Sequence, residues 1–140
     1  MKVLFWLAVL VLLIGANFAA WVRFAPSDPA RWHVPPDVSE NEDLDGGVKR
    51  VVRGAGPDAL ARLDAIARAT PRTQVLAGSV EEGMVTYVTR SAVWGFPDYT
   101  TVRQSGDTLR VHGRLRFGQS DFDVNRKRVD GWLAALREER

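Results

Sequence analysis

Residues 3–22, VLFWLAVLVLLIGANFAAWV, run for twenty positions without a charge. As a helix, about 20 apolar residues match the ~30 Å hydrocarbon core of a bilayer. Asn17 is the only strongly polar side chain in the run, and Trp6 and Trp21 stand near its ends, where interfacial aromatics belong. The rival reading is a cleaved signal peptide with Lys2 as its basic leader. Cleavage wants small residues at both specificity positions, and Asn17 and Phe18 spoil the best-placed frames. We therefore read residues 1–22 as an uncleaved transmembrane anchor. Lys2 and the amino terminus nearly balance Arg23 and Arg31 by the positive-inside rule. A two-residue tail before a long apolar segment behaves as a signal anchor, so the rest of the chain is expected on the far side.

Residues 23–47 carry Pro26, Pro29, Pro35 and Pro36, with two basic and six acidic side chains. They show no period of 2 or 3.6 and read as a semi-extended linker, on which Trp32 and Val34 are candidates to dock elsewhere. His33 has no partner at ligand spacing and reads as a loop histidine. The chain has no cysteine and only two histidines. That excludes disulfides, a thiol nucleophile and a cysteine zinc site, and it gives no reason to expect a metal or cofactor.

A domain is expected over residues 48–140. VKRVVR reads as a strand, Gly54 and Gly56 as a turn, and Pro57 as a first-turn helix residue. Leu60, Leu63, Ile66 and Ala67 recur at helical spacing until Pro71 ends the helix. TQVLAGSV, MVTYVTRS, DYTTVRQ and TLRVHGRLRF read as strands separated by turn residues. Ser120 or Asp121 is expected to cap a last helix reaching about Glu138. The fold class is α+β: an N-terminal transmembrane helix, then a two-layer domain with an antiparallel sheet of four to five strands packed by two helices.

Alternation along the last strand puts Leu109, Val111, Leu115 and Phe117 on one side. Arg110, His112, Arg114 and Arg116 fall on the other, joined by Arg103 and Tyr99 from the preceding strand. Residues 48–120 hold eleven basic against six acidic side chains, so this face could meet anionic lipid or an anionic envelope polymer. The plainer reading is the solvated side of a half-buried sheet, because every such strand needs a polar face. Nucleic acid is not expected beside a membrane anchor. Asp98, Ser120, Asp121 and His112 include the residue types of a hydrolase, but no G-x-S-x-G elbow or glycine-rich phosphate loop marks one.

On a helical wheel, Phe122, Val129, Trp132, Leu133 and Leu136 share an apolar stripe about 100° wide. Lys127 lies nearly opposite it and Arg128 off it, so both are expected to be solvated, while Asn125 falls within it and Arg126 at its edge. Residues 121–140 carry five basic and five acidic side chains, so the Arg126-Lys127-Arg128 run is no anion grip. An amide on a buried stripe must find partners, since leaving it unpaired costs about 1–3 kcal/mol. Asn125 is expected to bond backbone in the Phe96-Pro97-Asp98 loop, with Arg126 reaching the Asp98 carboxylate.

FPDYTTV followed by RFGQSDFDVNRKRV resembles the signature of the bacterial domain-of-unknown-function family DUF1499. The matching positions are Phe96, Asp98, Arg116, Gly118, Ser120, Asp121, Asn125, Arg126 and Arg128, within roughly residues 48–136. Asp123 and Gly113 depart from it. The resemblance implies a small envelope-associated domain and no established activity. The resulting expectation is a single-pass bacterial inner-membrane protein with its domain in the periplasm. Its work would be to bind a protein partner or an anionic or amphipathic envelope ligand through Asp98, Arg103, Arg110, Arg114, Arg116 or Arg126. Phe96, Gly118, Ser120, Asp121, Asn125 and Arg128 are expected to be architectural. The alternatives are a hydrolase using Ser120 or Asp98 with His112, and a purely structural module.

Overall fold

The computed structural model describes residues 1–139. The apolar run forms helix α1, Lys2–Phe24, and its apolar side chains from Leu4 to Trp21 are largely exposed. The helix is long and apolar enough to cross a bilayer, a property that anchors share with signal sequences. Pro26, which has no N–H to offer, follows its end. A single turn, α2 (Pro29–Trp32), comes next. Asp28 caps it by accepting the Ala30 N–H, and Pro29 occupies the first helical position.

The remaining elements are β1 (Glu42–Leu44), β2 (Gly47–Val52), α3 (Ala59–Ala69), β3 (Thr73–Ser79), β4 (Met84–Arg90), β5 (Pro97–Ser105), β6 (Thr108–Leu115) and α4 (Val124–Glu138). All strands join one antiparallel sheet in the order β1-β2-β6-β5-β4-β3. α3 carries the chain from β2 to the far edge, and the β3–β6 meander returns until β6 lies against β2. The architecture is the expected α+β, with six strands rather than four to five. The extra strand is β1, whose sequence Glu-Asp-Leu has no alternation to announce it.

α3 and α4 cover one face. Val48, Val85, Tyr87, Val102, Leu109 and Val111 from the sheet pack there against Leu60, Leu63, Val129, Trp132, Leu133 and Leu136. Most polar groups at this interface are paired, as burial requires. Tyr87 meets Trp132 edge-on at 5.6 Å and donates its hydroxyl to Asp64, while Trp132 donates its indole N–H to Thr70. Gln104 of β5 acts as a cap in trans for α3: its Oε1 accepts the Leu60 N–H and its Nε2 donates to the Gly56 and Pro57 carbonyls. Arg50 bridges Asp130 of α4 and Asp43 of β1, each at 2.7 Å.

The opposite, arginine-bearing face is covered by the chain's own residues 25–38. Trp32 stacks on Tyr99 with ring centroids 3.9 Å apart and planes inclined by 14°. Arg114 lies over the Trp32 ring and donates to the Trp32 carbonyl and the Thr101 hydroxyl. Arg110 donates to the Val38 carbonyl, and Arg116 to the Pro26 carbonyl and the Tyr99 hydroxyl. Ser27 and His33 add hydrogen bonds to Tyr99 and Thr86. The proline-rich stretch that reads as a spacer is therefore a lid on the sheet. Its prolines suit this role, because an irregular segment without a ladder of its own can take its hydrogen bonds from long arginine side chains. Val34, the other candidate for docking, is 44 % exposed.

Replacing Trp32 by alanine removes a stacked ring from a buried contact and should destabilise the fold by about 3 kcal/mol. Trp94→Ala, at a 56 % exposed position, should stay within about 0.5 kcal/mol of wild type. Denaturant unfolding of the full chain in neutral detergent, followed by near-ultraviolet circular dichroism, measures both.

Candidate functional site

Most of the family-like residues, drawn from the stretches 96–98 and 118–128, meet at the end of the sheet where β5 begins and β6 finishes. The 91–96 loop and the 116–123 turn bracket a pocket of about 250 Å³ there. Phe96, Leu115, Phe117, Phe122 and Val124 form its apolar walls, and Ser91, Asp98, Ser120 and Asp121 supply its polar groups. Gly118, Phe122 and Asp123 all have positive φ, and these three left-handed residues turn the chain sharply between β6 and α4. The turn leaves Phe122 85 % exposed at the pocket, outside the α4 stripe where its spacing would put it.

Behind the pocket lies a buried polar network. Asp121 accepts both the backbone N–H and the side-chain amide of Asn125 at its Oδ2, and the Asp123 N–H at its Oδ1. Asp121 thus bonds the first turn of α4 as expected of a cap, although the N-cap position itself falls at Asp123. Asn125 is fully buried, and its Oδ1 accepts from Arg128 at 3.0 Å. Arg128 also reaches Asp98 at 3.5 Å. Gly113 sits directly beneath: a Cβ there would lie 3.2 Å from both Asn125 Oδ1 and Val129 Cγ2. The Thr100 hydroxyl, on the same face of β5 as Asp98, is buried with no hydrogen-bond partner among the described residues.

Two sequence expectations are corrected here. Asn125 bonds the Asp121 carboxylate and Arg128, not the backbone of the Phe96-Pro97-Asp98 loop. The arginine that reaches Asp98 is Arg128, whereas Arg126 pairs with Asp43 and Asp123 on the outside. Arg128, expected in solvent, is only 12 % exposed, and side-chain reach rather than helical azimuth explains the exchange. Arg128 leaves the helix off the apolar stripe, but its side chain is long enough to curl back over β5.

Burial pushes the Asp98 carboxyl up to about 6, the Arg128 charge opposes this, and the neighbouring Asp121 adds to it. Burial likewise lowers Arg128, with Asp98 opposing. On the other face, His112 is held down to about 4 by burial and by Arg114 and Lys49. Its neighbours in the strand, Val111 and Gly113, point to the helices, so His112 points away from Asp98 and Ser120. The sheet stands between them, and the imagined hydrolase dyad does not assemble.

The proposed basic face also disperses. Arg110, Arg114 and Arg116 spend donors on residues 26–38, and burial draws Arg114 down to about 10. Arg103 remains exposed at the far end of β5. Of the candidate binding residues, only Asp98 lines the pocket. Sequence reading missed Ser91, Phe117, Phe122 and Val124 as pocket residues, because a turn with three positive-φ positions brings them together and no periodicity encodes it.

The Asp98 titration gives a direct check. Its folded value lies above the ordinary 3.8, so between about pH 4 and 6 the folded chain keeps a proton that the unfolded chain has released. Stability should therefore fall as pH rises through that window, by at most about 1.4 kcal/mol per unit. A carbon-13 carboxyl titration should place the midpoint near 6. Arg128→Gln, which removes the opposing charge, should move it higher.

No curated protein and no solved structure shows significant similarity to the chain. A family model does match, and its match begins at α2 and runs almost to the end of α4, so it takes in the lid as well as the pocket. Residues 29–136 match DUF1499, described as a protein of unknown function, and the chain belongs to that family.

Proposed function

We propose that this protein is a membrane-anchored binding module that holds the head of an amphipathic molecule in the pocket over Asp98. The observation that carries this reading is the chemistry of the pocket, with aromatic walls around a half-buried carboxyl. Its volume, about 250 Å³, falls just below the ~300–1,000 Å³ usual for small-molecule sites. That suits a head group and its first methylenes. Asp98, Asp121 and the two serines favour a head that donates hydrogen bonds, an amine or a hydroxyl.

The surroundings agree with an amphiphile. Phe117, on the pocket wall, meets Trp21 of α1 edge-on at 5.2 Å and Phe96 at 6.1 Å. Phe24, Val93, Trp94, Phe122 and Val124 are exposed apolar side chains on α1's end, the two bracketing loops and the start of α4. Exposed aromatics gathered beside the end of an apolar helix are the pattern of a surface seated at a membrane interface. In this reading α1 stays uncleaved in a bacterial inner membrane and the domain stands on its periplasmic surface.

The topology is checked by fractionation. The chain should stay with membranes after alkaline carbonate washing, its intact mass should include Met1, and protease added to spheroplasts should digest the domain. Release by carbonate, or digestion only after lysis, contradicts the anchor or its orientation.

Binding is checked by titrating the full chain, in neutral maltoside micelles, with dodecylamine and with dodecanoate. The amine should bind with a tryptophan fluorescence change, and the carboxylate about tenfold more weakly or not at all. Asp98→Asn and Phe117→Ala should each weaken the amine by about tenfold while the chain stays folded. Equal binding of both probes, or none, leaves a structural module.

A further inference from the structure

On the other side of the 91–96 loop lies a second pocket of about 270 Å³, with Arg23, Arg72 and Arg90 on its walls and no carboxylate among its lining residues. Ser91, Gln74 and Gly95 complete its polar rim. We propose that this pocket holds the phosphate of a phospholipid head group. The proposal rests on α1 being a membrane anchor and is independent of what occupies the Asp98 pocket.

Three features build the site. Arg72 has φ +56, a left-handed conformation that a non-glycine residue adopts only when its surroundings hold it there. The hold is reciprocal: the Arg90 N–H donates to the Arg72 carbonyl, and Arg72 Nε donates to the Arg90 carbonyl, each at 3.0 Å. Arg90 in turn donates from Nη1 to the Gly95 carbonyl and to the Val22 carbonyl in the last turn of α1. That contact ties the sheet to the helix end. Gly95 has φ +71 and no side chain, and Arg23 lies against it, its Nε 3.3 Å from where a Cβ would stand. A larger residue would displace Arg23.

Each contact fixes an arginine without neutralising it. None of the three forms a salt bridge among the described residues, although eight ion pairs occur elsewhere in the fold. Like charges gathered without counter-charges repel one another, and a bound anion relieves that repulsion. Guanidinium forks match phosphate oxygens in pairs. The location selects the source of the phosphate. Arg23 directly follows the apolar run, so in a spanning α1 it stands at head-group depth, where basic side chains meet anionic lipid.

The test titrates the full chain in neutral maltoside micelles with phosphatidylglycerol, with diacylglycerol and with inorganic phosphate. Phosphatidylglycerol should bind saturably, diacylglycerol about tenfold more weakly, and millimolar inorganic phosphate should not displace the lipid. Arg23→Gln with Arg72→Gln should weaken phosphatidylglycerol by about tenfold while the chain stays folded. Arg53→Gln with Arg137→Gln, the same charge loss at another pocket, should leave binding intact. Equal binding of diacylglycerol, displacement by inorganic phosphate, or an equal loss in the Arg53/Arg137 variant each overturns the proposal. Failure of the anchor reading is separately visible, as carbonate release or loss of Met1.

Discussion

The stack of Trp32 on Tyr99 is the contact on which the arrangement of this molecule depends. A six-stranded antiparallel sheet has two faces, and here the helices cover only one. Without a cover, the second face would leave Tyr99, Thr86 and Thr101 in water beside a row of arginines. The stacked ring closes that face and places the Trp32 carbonyl where Arg114 can reach it. Because residues 25–38 join α1 to the sheet, the same stack holds α1 against the domain. Arg116 bonding Pro26 and Arg90 bonding Val22 then complete a connection that a flexible spacer could not make.

On the helix face, the Asp121–Asn125–Arg128–Asp98 network makes an analogous closure with polar groups. Asn125 sits where a leucine would pack, and its amide joins a carboxylate to a guanidinium. A buried network of this kind is stable only when its members are satisfied. Asp98 is the least satisfied member: its contact with Arg128 is long, and burial raises its pKa. That residual demand faces the pocket, which is the basis of the proposal that a donor binds there.

The two pockets flank one short loop, and Ser91 lines both. One is carboxylate-floored with aromatic walls; the other is lined by three arginines. Both lie beside the end of α1: Arg23 lines the second, and Phe117 on the wall of the first meets Trp21. Arg128, largely buried, is coupled electrostatically to both Asp98 and Arg72.

The sequence by itself determined what periodicity can encode. Twenty uncharged residues made α1, alternation in β6 separated Val111 from His112, and the Leu60–Leu63–Ala67 spacing made α3. It also carried the family resemblance, because those residues fall in two short stretches, 96–98 and 116–128. Tertiary structure alone decided what stands opposite each face. Alternation assigns Arg110, Arg114 and Arg116 to one side of the sheet, but it cannot say that the chain's own prolines and Trp32 will lie there. A helical wheel gives the azimuth of Arg126 and Arg128, but not the reach of a side chain several bonds long, so it favoured the wrong arginine for Asp98. Contacts between residues far apart in sequence leave no local period, and in this protein both pockets are made of them.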